Sequence, residues 1–163
     1  MPTATHSGLL RELEQLAASA RTAEQLMRAI AERLAQAAPH FNWVGFYLIE
    51  RDDPNMLALG PYAGAPTPHT RIPLDQGICG AAAASGETIV VDDVSADPRY
   101  LACSLETRSE IVVPVRAHGR VVGELDIDSH TPAAFSADDR RLVEHCAALV
   151  GRFLETASPA AVA

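Results

Sequence analysis

The stretch EIVVPVRAHGRVVGELDIDS, residues 110–129, decides how this chain is read. Branched apolar residues alternate with others on both sides of AHGR, which reads as the turn. The stretch is therefore a β-hairpin. Alternation has period two, so Asp126 and Asp128 share one strand face and Ile127 takes the other. A pair of carboxylates on one face ordinarily marks a solvated side. Here the flanking residues are apolar, which raises the alternative of a partly buried acidic pair with raised pKa values.

Working outward, TIVVDDV (88–94) reads as a strand, and the loop SADPRYLACSLETRS that follows contains Cys103. A loop of roughly fifteen residues inside a compact domain is more often functional than idle. On the far side, Ser136 should cap a last helix with acids in its first turn. Earlier in the chain, FNWVGFYLIE (41–50) and MLALGPYAG (56–64), joined by RDDPN, look like a second hairpin. HTRIPL (69–74) is a short extended piece. Residues 8–38 carry leucines at helical spacing, with Leu26, Met27, Ile30 and Leu34 as a buried stripe. The result is an α+β domain: a central antiparallel sheet of about six strands, with N- and C-terminal helices packed on one face. We take 1–155 as a single domain and 156–163 as a disordered tail.

Composition narrows the function. The 163 residues are 48% hydrophobic and 21% charged, with a net charge of −8 and no lysine. That balance argues against nucleic acid and anionic membrane partners, and it removes Schiff-base and P-loop lysine chemistry. No run is apolar enough to span a bilayer, and the N-terminus lacks signal-peptide features, so a cytoplasmic location is expected. In that compartment three cysteines are free or catalytic rather than structural bridges.

Cys79 stands in GICGAAAASGE (77–87), a short helix that Gly86 should stop. A thiol there is either packed or made nucleophilic by the helix N-terminus. Cys79 and Cys103 are 24 residues apart, which is no metal-knuckle spacing. Even with His69 added, a metal site is not expected. Cys146 falls on the inner stripe of the last helix as a core thiol, and His145 should meet solvent. Trp43 and Tyr47 share a strand face, as core aromatics or as an apolar wall for a small ligand.

Taken in order, NWVGFYL, LGPYAG, RIPLDQGICG, VVDDV, LACSLETRSEIVVPV, GELDIDS and FSADD resemble the free methionine-(R)-sulfoxide reductases, stand-alone enzymes on the GAF fold. The resemblance covers about residues 20–155. It implies a GAF-like fold, redox-active Cys103 and Cys79, catalytic and substrate-holding carboxylates at Glu110, Asp126 and Asp128, and an aromatic substrate wall from Trp43 and Tyr47. Many relatives carry a third cysteine where this chain has His69. The implied partners are free methionine-(R)-sulfoxide and a thioredoxin-like reductant. A homodimer is implied too, with no cofactor and no metal. Either cysteine could be the nucleophile, with Cys103 preferred. A small-ligand GAF sensor and a degenerate, non-catalytic homologue are the rival readings. The NKFDE-type run of cyclic-nucleotide-binding GAF domains is absent.

Overall fold

The computed structural model describes residues 4–102 and 104–157. Helices α1 (Ala4–Ser19) and α2 (Ala23–Ala37) are followed by β1 (Trp43–Ile49), β2 (Met56–Ala63) and β3 (Arg71–Pro73). Then come α3 (Gly77–Ser85), β4 (Ile89–Val91), a 3-10 turn at Val94–Ala96, β5 (Ser109–Ala117), β6 (Arg120–Ser129) and α4 (Ala137–Thr156). The six strands form one antiparallel sheet in the order β3-β2-β1-β6-β5-β4. No helix among the described residues is long and apolar enough to cross a membrane.

Local chemistry explains the element ends. At the β5–β6 turn His118 and Gly119 have φ of 53° and 75°, the left-handed pair that a two-residue hairpin demands. Ser136 and Asp139 close a reciprocal capping box on α4. Thr22 caps α2 by accepting from the Gln25 amide at 3.1 Å, worth about 1 kcal/mol. Gly86 ends α3 in the left-handed region, at φ 72°. Two boundaries differ most from the sequence reading. Helix α1 starts at Ala4, ahead of residue 8, and β4 stops at Val91 because Asp93 turns to accept from the Ser95 amide at 3.0 Å. The proposed tail lies mostly outside the described residues, at 158–163.

The sheet has two covered faces. On one, Val44, Phe46, Ile111, Val113, Leu125 and Ile127 pack against α1, α2 and α4. Each fully buried side chain of this size contributes about 1.5–3 kcal/mol. Cys146 is buried there with Leu142, Leu149 and Val150, and burial alone pushes its thiol up to about 12. His145 departs from expectation: it is half-buried, with Nε2 3.4 Å from Glu14 of α1. The other face is covered by α3 and the segment before β5.

Candidate functional site

Strand pairing writes the site as a grid on the α3 side of the sheet. Along β6, Asp128 lies opposite Trp43 of β1 and Glu110 of β5. Asp126 lies opposite Gly45 and Val112, and Glu124 opposite Tyr47 and Pro114. The first row opens to solvent at a recess bordered by Trp43, Thr107 and Asp128. In the third row Glu124 and Tyr47 are fully buried.

The aromatic wall is held from both sides. Trp43 Nε1 donates to the Ala65 carbonyl at 3.0 Å, and its ring stacks on Tyr62 and lies 6.2 Å from Tyr47. Gly45 makes this possible, because a Cβ there would collide with the Trp43 ring. Tyr47 donates its hydroxyl to the His69 carbonyl at 2.8 Å, and His69 Nε2 sits 2.7 Å from the Ala102 carbonyl. His69 thus ties the wall to the segment running into position 103. It does not approach the acids as a ligand. Cys103 itself lies outside the described residues.

The acids are not a solvated face. Glu110, Asp126 and Asp128 are 4%, 1% and 4% exposed. The reason is α3, whose small residues let it lie flat across the strand and bring Cys79 down onto the carboxylates. The Cys79 thiol donates toward Asp126 Oδ2 at 3.4 Å and Glu110 Oε1 at 3.9 Å. Burial raises the Asp126 carboxyl, opposed by hydrogen bonds with Glu110 and Cys79. Burial, then the Asp126 charge, push Asp128 well above the ordinary range. These groups keep protons at a pH where surface acids have lost theirs.

Cys79 behaves unlike a helix-terminal nucleophile. Burial first, then the charges of Asp126, Glu124 and Glu110, push its thiol well above the ordinary value. The helix N-terminus is too weak to offset them. In this setting Cys79 is a protonated thiol.

The structure adds one residue that the sequence reading missed. Glu124 is fully buried on the same face and within the field of Cys79. The signal was present: the alternation that pairs Asp126 with Asp128 in GELDIDS also selects Glu124. Atoms of Cys79, Glu110 and Asp126 lie within 4.8 Å of one another, the sole such group of three among the described residues. That spacing could bridge a divalent cation, with ligands drawn from α3 and two strands rather than from a sequence motif. Larger grooves exist, such as one of about 480 Å³ beside α4 and β5, but its lining contains no thiol.

Residues 20–155 match the GAF domain family. Free methionine-R-sulfoxide reductase of Escherichia coli strain K12 is 30% identical over 94% of this chain and 91% of that protein. The chain belongs to the GAF domain family and falls among its free methionine-R-sulfoxide reductases. The Saccharomyces cerevisiae enzyme of the same name is 38% identical over 71% of this chain and 64% of that protein. The structure of the Neisseria meningitidis reductase in complex with its substrate superposes with a TM-score of 0.86 at 37% identity. That match covers 92% of this chain and 88% of the other. The chain spans a little under two thirds of the length of three curated relatives that it matches, the yeast protein among them. The GAF site here is thus a walled recess that ends in a buried row of acids under a thiol.

Proposed function

We propose that this protein is a cytoplasmic enzyme that reduces free L-methionine-(R)-sulfoxide to methionine through a thiol, sulfenic acid and disulfide cycle. The observation that carries the reading is the buried acid row, Glu110, Asp126 and Asp128, set between the Trp43–Tyr47 wall and Cys79. A sulfoxide sulfur becomes electrophilic when its oxygen is protonated, and buried acids that retain protons are suited to supply that proton. The same row, when ionised, can hold the substrate ammonium.

Cys103 is the proposed nucleophile. Its sulfur takes the sulfoxide oxygen, methionine leaves, and Cys103 becomes a sulfenic acid. Cys79 then condenses with it, forming the disulfide and releasing water. An external thioredoxin-like dithiol restores both thiols. The protonated state of Cys79 supports this order, since a thiol so far above its ordinary pKa is a poor first nucleophile. We further propose that the chain is one domain over 1–155 and works as a homodimer with no cofactor or resident metal.

The decisive assay is methionine release from purified protein with dithiothreitol as reductant. Turnover is expected on free L-methionine-(R)-sulfoxide, but not on the S epimer or an N-acetylated, amidated analogue. Equal rates on the blocked analogue, or no turnover on the free R epimer, would refute the proposal.

A further inference from the structure

A thiol has one proton to donate, yet Cys79 stands between two carboxylates, 3.4 Å from Asp126 Oδ2 and 3.9 Å from Glu110 Oε1. Whichever oxygen takes that proton, the other faces sulfur lone pairs. Asp126 and Glu110 share a hydrogen bond of their own, and ligand atoms of all three residues lie within 4.8 Å of one another. A tetrahedral zinc ion, with bonds of about 2.3 Å to sulfur and about 2.0–2.2 Å to oxygen, holds sulfur and oxygen about 3.5 Å apart. The trio already has close to the dimensions of a zinc site.

A second observation points the same way. On this strand face Asp126 Oδ1, Asp128 Oδ1 and both oxygens of Glu124 are buried with no hydrogen-bond partner among the described residues. Asp126 is 1% exposed and Glu124 0%. No arginine or histidine of the described residues forms an ion pair with these three acids. Buried polar atoms left this way mark a place for water, an ion or a ligand. A substrate ammonium could meet Asp128 beside the recess, but it has no affinity for sulfur.

We propose that Cys79, Glu110 and Asp126 bind a thiophilic divalent cation, zinc by preference, and that its binding holds the enzyme off. The second half rests on the reductase reading above; the binding half does not. A thiolate with two carboxylates suits zinc, whereas magnesium keeps oxygen and water ligands. The recess at Trp43, Thr107 and Asp128, one row from Asp126, gives the way in. Cys79 releases its proton as the sulfur joins the metal, because a bound divalent charge deprotonates a coordinating thiol. Water takes the fourth position. The cation is a reversible inhibitor and not a resident cofactor. It occupies the resolving thiol and two of the acids proposed to protonate the sulfoxide, so both halves of the cycle stop.

The test uses the reduced protein with free metal ions. Equilibrium dialysis should find one Zn²⁺ per chain, and the melting temperature should rise with Zn²⁺ concentration. Co²⁺ should give a thiolate-to-metal charge-transfer band in the near ultraviolet and the intense visible bands of a tetrahedral ion. The charge-transfer band should vanish in Cys79→Ser and persist in Cys103→Ser and Cys146→Ser. Asp126→Asn and Glu110→Gln should weaken binding by at least the roughly 10–100-fold that changes outside the first ligands cost. Circular dichroism checks that each variant is folded. A single turnover is run without added thiol, which would itself take the metal. One equivalent of Zn²⁺ should slow release of the first methionine by about 10²-fold. EDTA should restore it, and excess Mg²⁺ should do nothing. No Zn²⁺ uptake by the wild type, or uptake and a charge-transfer band unchanged in Cys79→Ser, would overturn the site. Normal methionine release from zinc-loaded protein would overturn the inhibition. No turnover by metal-free protein would refute the reductase reading and the inhibition with it, while the titration still decides the site.

Discussion

Substituting Gly80 by alanine sets helix propensity against tertiary packing at the residue next to Cys79. In isolation the change should help, since alanine is favoured over glycine inside a helix by about 1 kcal/mol. In the structure a Cβ at Gly80 would fall 2.8 Å from the Pro73 carbonyl oxygen and 2.9 Å from that of Leu74. Both are backbone atoms and cannot rotate aside. To reach ordinary contact, α3 must withdraw by about half an ångström, and overpacking of this kind costs roughly 1–3 kcal/mol. Packing therefore wins by up to about 2 kcal/mol. At about 2–4 °C per kcal/mol for a chain of this size, the melting temperature should fall, by up to roughly 8 °C. The same withdrawal carries Cys79 away from the acids. Its 3.4 Å contact with Asp126 would stretch to about the 3.9 Å now seen to Glu110. Since a displacement of ~1 Å can cost about 10²-fold, disulfide closure should slow by about tenfold. Thermal unfolding by circular dichroism and thiol counting after one turnover give the two readouts. A raised melting temperature with unchanged closure would show that α3 is not braced on residues 73–74, and the reasoning would fail.

Amide isosteres of the acid row, Asp126→Asn and Asp128→Asn, should lower turnover by about 10²–10⁴-fold, with Glu110→Gln no worse. Their melting temperatures should stay near wild type, and full activity in all three would refute proton donation. Peptide mapping after one turnover should find a Cys79–Cys103 cross-link and a free Cys146, the latter because α4 holds it on the opposite face of the sheet. Three free thiols would contradict this. Burial pushes the Asp139 carboxyl up, but hydrogen bonds from His40 and the Ser136 amide, the His40 charge and a bond from His6 bring it below the ordinary value. An acid whose folded pKa is depressed stabilises above its unfolded pKa of about 3.9 and loses that contribution as pH falls through the folded value. Asp139→Asn should thus cost roughly 1–2 kcal/mol near neutrality, and denaturant titrations should converge with wild type in strong acid. A gap that widens as pH falls would reverse the sign.

Much of the site was legible residue by residue, and its failures were specific. The shared face of Asp126 and Asp128, the Trp43–Tyr47 wall and the core position of Cys146 all follow from periodicity. The same rule should have delivered Glu124. Its burial is not written in that period, because an acid on a strand reads as solvent-facing until its cover is known. The half-burial of His145 is hidden for a related reason, since its partner, Glu14, lies 131 residues earlier on a different helix.

The sequence by itself determined which residues share a face, where the hairpins turn, where α4 starts and where α3 stops. These depend on steric and hydrogen-bonding rules that act within a few residues: the left-handed pair at His118 and Gly119, the Ser136–Asp139 box and the alternation through β6. Only the tertiary structure decided whether the acid face is wet or buried. That depends on α3, whose approach to the sheet is set by contacts among residues far apart in the chain. The outcome matters because the free energy of a charge depends on what surrounds it. In water Glu124, Asp126 and Asp128 would be ordinary carboxylates and Cys79 an ordinary thiol. Under α3 burial raises the pKa of all three acids and of the Cys79 thiol.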